Sequence, residues 1–228
     1  MASNLPENFT RYDQKLEFIL RTSARIFAEK GYHSTTMRDI SRATEVSLAG
    51  LYHYCKSKEE LLFLIQDNCF GRVLERLQER LREVAEPVEK LRLVIENHLS
   101  FFAANMAEMK VLSHEADSLA GEMHEQVSGK KQQYTQLVRR ILSEVQQAQT
   151  GDARKVDLTV ATYALFGMMN WIYNWYDPRG PLSVAGLVEN VTRLFFNGFL
   201  AGSSGEGLQF RPNETKAESL SVWRAPLA

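Results

Sequence analysis

At 228 residues, 44% of them hydrophobic and 24% charged, the chain has the composition of an ordinary globular protein of one or two domains. No uninterrupted apolar run approaches the ~18 residues of a membrane span, and the opening MASNLPENFTRYD lacks the basic-then-apolar pattern of a secretory leader. A formal net charge of −1 excludes the diffuse attraction to polyanions of a strongly basic chain, so any nucleic-acid contact must depend on where individual cations sit.

In chain order, residues 1–12 show no periodicity, contain Pro6 and read as a flexible arm. From Asp13 to Lys30 an apolar stripe (Leu16, Ile19, Leu20, Ser23, Ala24, Phe27) predicts an amphipathic helix, stopped by Gly31. Thr35 or Thr36 can cap the next helix, on which Ile40 and Ala43 share a face. Thr44-Glu45-Val46 breaks the pattern, and Ser47 caps a second short helix carrying Leu51 and Tyr54 inward. Two turns cannot hold themselves in water. They must be propped by packing Leu51 and Tyr54 on Ile40, Ala43 and Val46, which is the arrangement of a helix-turn-helix. Ser57-Lys58-Glu59-Glu60 then forms a capping box ahead of Leu61, Leu62, Leu64 and Ile65. The helix it starts runs to about Val84, ends before Pro87 and spans roughly 40 Å at 1.5 Å per residue.

The second helix of such a motif lies in the DNA major groove, with base contacts near its N-terminal end. Residues 1–60 hold Lys/Arg at 11, 15, 21, 25, 30, 38, 42, 56 and 58, of which Arg38, Lys56 and Lys58 fall on the DNA side. Arg38 is the best single candidate for a base or phosphate contact. Leu48 and Ala49 suit a thymine methyl, Tyr52 and His53 bases or phosphate, and Lys58 with the amides at Ser57 a phosphate. Thr36, Ser47, Gly50 and Lys56 complete the expected DNA-facing set.

Thr36-x-Arg38-Asp39-Ile40, Val46-Ser47, Leu51-Tyr52-His53-Tyr54 and Ser57-Lys58-Glu59-Glu60-Leu61 at these spacings resemble the N-terminal domain of TetR-family transcriptional regulators. Three positions depart from the family pattern: Glu45 stands where glycine is usual, Leu48 where a lysine or polar residue is frequent, and Cys55 where an aromatic is common. The resemblance implies a homodimeric, ligand-released repressor of a palindromic operator.

Beyond Glu86, helical patterns recur at 88–105, 107–119, 123–148, 155–176 and 183–201, with no strand pattern anywhere. The fold class is therefore all-α, with about nine helices. The expected organisation is an arm over 1–12, a DNA-binding head over 13–60, an effector-binding and dimerisation domain over 61–201 and a disordered polar tail over 202–228. In YALFGMMNWIYNWY (163–176) apolar side chains point all round the helix, and the last helix has two stripes, so a second apolar face needs cover. A two-fold dimer built from these helices would bury Gly167, Trp171, Trp175, Leu187, Val191, Leu194, Phe195 and Gly198.

The inward side of this domain is rich in aromatics and methionine: Phe101, Phe102, Met106, Met109, Leu112, Tyr163, Phe166 and Met169, with Tyr134, His114, Asn170 and Tyr173 as polar members. They are either an adaptable core or the lining of a cavity for a small apolar effector. The resemblance favours the cavity. The Met169-Asn170-Trp171 and Trp175-Tyr176 run before a proline-containing loop is similar to members that answer acyl-CoA thioesters or related lipids.

Two other classes compete, an all-α enzyme and a helical dimeric module without DNA binding. The five histidines form no H-E-x-x-H, and no nucleophile elbow, Walker loop or dinucleotide fingerprint is present, so no catalytic residue, cofactor or metal is expected. An interaction module would leave the three capped helix starts and their cations without purpose. Cys55 and Cys69 have no ligand-like spacing and are read as reduced thiols of a cytoplasmic protein.

Overall fold

A computed structural model describes residues 10–148 and 156–197. Among them the chain forms nine α-helices and no strand: α1 (Arg11–Lys30), α2 (Met37–Thr44), α3 (Leu48–Tyr54), α4 (Lys58–Leu81), α5 (Pro87–Ala103), α6 (Met106–His114), α7 (Gly121–Ala148), α8 (Leu158–Asn170) and α9 (Val184–Asn197). The all-α expectation holds. Residues 1–9 of the expected arm and the tail 202–228 lie outside the described residues, as does Gly198.

Helix starts follow the capping chemistry of the sequence. Thr36 accepts the amide of Asp39 while the Asp39 carboxylate accepts the amide of Thr36, a reciprocal box. Ser47 caps α3 and Ser57 caps α4 through the amides of Gly50 and Glu60. The α4 box differs in one arm, because the Glu60 carboxylate takes the amide of Lys56, one residue before the cap. Thr10 and Asp13 form a further box, so α1 already begins at Arg11 and the arm cannot extend to residue 12.

Two expected helices are shorter than their periodicity suggested. The pattern at 107–119 yields only α6, which closes at Glu115 in a turn where the Ser118 hydroxyl donates to the Glu115 carboxylate at 2.7 Å. Leu119 then buries separately. The expected helix to Tyr176 stops as α8 at Asn170 and tightens into a 3-10 turn, Trp171–Asn174. Such a tightening is a common finish for a helix without a C-terminal glycine.

Two apolar cores result. One gathers Ile19, Ala24 and Phe27 of α1, Ile40 of α2, Leu51 of α3, and Leu61, Leu62 and Ile65 of α4. The other joins Val73, Leu74 and Leu77 of α4 to α5, α7, α8 and α9. Helix α4 therefore serves both. So does α6, which sends Val111 into the first core and Met109 into the second.

Candidate functional site

The head presents α2 and α3 on one surface. Leu51 is wholly buried against Ile40, so the first half of the expected prop is present. Ala43 is exposed instead, and the buried neighbour is Thr44, whose hydroxyl donates back to the Ile40 carbonyl at 2.7 Å. The turn is fastened by the Ser41 hydroxyl donating to the Val46 carbonyl at 2.6 Å. Tyr54 is half-buried and stacks on Tyr12 at 4.7 Å, while His53 meets the same ring edge-on at 5.9 Å. The first turn of α1 thus steadies the C-terminal end of α3. Cys55 is a buried thiol, and burial pushes its pKa up to about 11.

Glu45 occupies the left-handed region (φ 54°, ψ 27°), a conformation for which glycine is suited and a side chain is strained. Glu45→Gly should therefore raise stability by roughly 0.5–1 kcal/mol, and Glu45→Val should lower it by about 1–2 kcal/mol, as read from urea midpoints. Gly50 is constrained for a different reason: a Cβ there would lie 2.9 Å from Cγ1 of Val46, so α3 approaches the turn too closely for a side chain.

Of the expected DNA-facing residues, Arg38, Ala49, Tyr52, His53 and Lys56 are exposed on the head and Leu48 is half-buried. Arg38 makes no ion pair with another described residue. Thr36, Ser47 and Ser57 hold helix starts. Lys58 is placed otherwise than expected. Its ammonium donates to the carbonyls of Tyr32 (2.8 Å) and Thr35 (2.9 Å) and sits 4.3 Å above the Tyr32 ring. It is a strut between α4 and the α1–α2 turn, not a free cation. Arg42, one turn beyond Arg38, is exposed on the same helix; the i, i+4 spacing was the sequence signal for it. The Asp39 carboxyl lies well below the usual range, chiefly through the Thr36 hydroxyl and amide, and pairs with Lys30 at 3.0 Å. It is tied to the α1–α2 corner.

The second candidate site is a half-open cavity of about 420 Å³ among α4, α5, α6, α7 and α8. Phe102, Met109, Leu112, Tyr134, Tyr163, Phe166, Asn170 and Tyr173 line it. Phe101, Met106, His114 and Met169 do not. Phe101 and Met169 are buried in packing elsewhere, Met106 is half-buried against the second core, and His114 is exposed with its ring edge-on to Tyr173 at 5.5 Å. Sequence reasoning missed Phe70, Val73, Lys131, Thr135 and, above all, His98. The signal for His98 was a polar residue on the apolar stripe Val94, Ile95, Leu99, Phe102 of α5.

His98 is 2% exposed, 3.1 Å from the Tyr134 hydroxyl through Nδ1 and 3.1 Å from Asn170 Oδ1 through Nε2. Burial holds its pKa down at about 3, against a partial upward effect of the Asn170 bond. The unfolded chain therefore takes up a proton below pH ~6.5 that the folded chain refuses. Stability is full above that pH and falls by up to about 1.4 kcal/mol per pH unit as the pH drops below it. Urea unfolding at pH 7, 6 and 5 should show this slope, and His98→Phe should flatten it.

Exposed apolar side chains follow α8 and the 3-10 turn after it. Val160 is 62% exposed, Tyr163 63%, Trp171 61% and Trp175 55%, with Gly167 open between them and Leu194 of α9 44% exposed. Gly167, Trp171, Trp175 and Leu194 of the expected dimer set thus stand on the surface, though Gly167 and Trp171 also border the cavity. Leu187 and Val191 do not. They are buried in the subunit's own core, because α9 lays that stripe against α5. Phe195 is half-buried against the same core.

Residues 19–65 match the family described as bacterial regulatory proteins, tetR family, and residues 84–199 match the tetracyclin repressor-like C-terminal domain. The fatty acid metabolism regulator protein of Bacillus subtilis is 28% identical over 184 residues, covering 79% of this chain and 93% of that one. The repressor KstR2 of Mycobacterium tuberculosis is 24% identical over 193 residues, covering 83% and 93%. Among solved structures, AibR in complex with isovaleryl coenzyme A and operator DNA superposes with a TM-score of 0.70 at 30% identity, covering 79% of this chain and 97% of that one. A TetR-family regulator from Bordetella parapertussis superposes with a TM-score of 0.76 at 29% identity, covering 87% and 100%.

Proposed function

The chain belongs to the TetR family of transcriptional regulators, and from that premise we propose that it is a dimeric repressor released from a palindromic operator by an apolar, acyl-bearing ligand held among α4–α8. We assign operator reading to the head over 13–60, and effector binding and dimerisation to 61–201. Arg38, Leu48, Ala49, Tyr52, His53 and Lys56 are the contacts proposed for DNA, with the capped starts of α2, α3 and α4 offering amides to phosphates. Arg38→Ala should weaken operator binding by about 1–3 kcal/mol in a gel-shift titration while leaving the melting temperature in place.

The observation that carries the reading is the double membership of α6. Met109 and Leu112 face the cavity, Val111 sits in the head's core, and α1 packs against the same helix. Gln66 of α4, buried, donates to the Glu115 carbonyl at the end of α6 at 2.9 Å. A ligand that fills the cavity better when α6 is displaced also favours a shifted head, and so a head spacing that no longer fits successive grooves. The ligand class follows from the apolar lining with few polar groups, and from the isovaleryl coenzyme A that AibR holds. Calorimetric titration of the full-length protein with short-, medium- and long-chain acyl-CoAs, paired with gel shifts on its operator, tests it. Binding that releases DNA is expected. Silence across the panel removes the acyl class.

A further inference from the structure

Two buried side chains of the cavity, His98 and Tyr134, bond to each other, and Asn170, exposed at the end of α8, bonds to the same imidazole. Asn170 turns Oδ1 toward His98 Nε2 at 3.1 Å, and an amide oxygen can only accept. Nε2 therefore carries the ring proton. Nδ1 is then bare, so the Tyr134 hydroxyl, 3.1 Å away, donates to it. The rings of Phe102 and Phe166, at 4.5 and 6.0 Å, close round the imidazole, and no charged side chain bonds to any of the three groups. Burial of His98 keeps this neutral arrangement at physiological pH.

What remains for a ligand is polarised. The Asn170 amide group Nδ2–H2 forms no hydrogen bond with another described residue, and Asn170 lines the cavity. Were the amide turned over, Oδ1 would face a ligand carbonyl, acceptor against acceptor. We infer that His98 is a positioning residue that fixes the Asn170 amide so that its NH2 donates to the carbonyl oxygen of a neutral acyl group (a thioester, ester or amide) and discriminates against a free carboxylate. No cation bonds to these three groups to match an ionised carboxylate, whereas a neutral carbonyl needs little more than that one neutral donor. Lys131, the lysine on the cavity wall, is solvent-exposed and does not reach these three groups.

The inference rests on reading the cavity as the effector site, and the test separates the two. The full-length protein is titrated with isovaleryl-, octanoyl- and palmitoyl-CoA, with the matching free acids, and with CoA alone to remove the nucleotide's share. At least one thioester should bind tenfold or more above its acid. His98→Phe and Asn170→Asp should weaken that thioester roughly ten- to hundredfold, because the first releases the Asn170 amide and the second removes its donor. His98→Gln, whose amide can still donate to Asn170 Oδ1, should stay within about threefold, a rescue that mere filling of space by Phe does not give. Nitrogen-15 NMR of His98 in the ligand-free protein should show a protonated Nε2 and a bare Nδ1. Equal binding of acid and thioester, wild-type affinity in His98→Phe, or a proton on Nδ1 overturns the inference and leaves the cavity's role standing. Failure of all three thioesters with wild-type protein overturns both.

Discussion

Leu51→Ala should abolish operator binding by dissolving the head, not by removing a DNA contact. Leu51 is wholly buried, and α3 is a seven-residue helix that cannot persist alone. Its hold on the protein is the contact of Leu51 with Ile40 and the first core, the cap at Ser47, and the packing of His53 and Tyr54 on Tyr12. Truncating a buried leucine costs about 2–5 kcal/mol, which is a large part of the stability of a typical domain. Because α3 is the smallest unit, the loss should concentrate there. Hydrogen exchange should show the amides of α2 and α3 opening while those of α5 and α7 stay protected. A neighbouring exposed variant, Ala49→Ser, should leave exchange unchanged, which separates folding from contact.

The second large effect is expected at the exposed apolar side chains of α8 and α9. Val160→Glu combined with Leu194→Glu places carboxylates at two exposed apolar positions that lie off the cavity wall. If they lie in the face between two copies, each carboxylate is desolvated without a partner, at a cost of several kcal/mol per ion. The protein should then sediment as a folded monomer with a wild-type circular dichroism spectrum. Operator affinity should fall by about two to four orders of magnitude, since the second half-site no longer binds within the same assembly. A dimer that survives both substitutions would move the interface elsewhere.

The head was legible because its information is local. Thr36, Ser47 and Ser57 announce three helix starts in the sequence, and the structure places those starts one residue after each. Even so, Lys58 read as a free cation, because nothing in the sequence shows that the carbonyls of Tyr32 and Thr35 converge on it. In the rest of the chain the decisive facts are tertiary. The α9 stripe of Leu187 and Val191 is apolar whether it faces α5 or a second copy, and periodicity cannot choose between them. Nor does the end of α8 at Asn170 carry a local mark, since proline appears only at 178. The cavity was half visible, as a run of aromatics and methionines. Of its polar centre Tyr134 and Asn170 were legible and His98 was not, and the bonds that join the three, contributed by three different helices, leave no mark in the sequence.

The sharing of α6 between two cores has a consequence for anyone recombining such proteins. The first core is completed by Val111, Leu119 and Val127, all far downstream of the residues proposed to read DNA. A fragment cut after residue 65 would carry an open hollow where those side chains belong. Chimeras that transplant operator specificity onto a foreign sensor should therefore bring these three positions with the graft, or match them in the recipient. Cut without them, the transplant inherits the recognition residues and none of the rigidity that aims them.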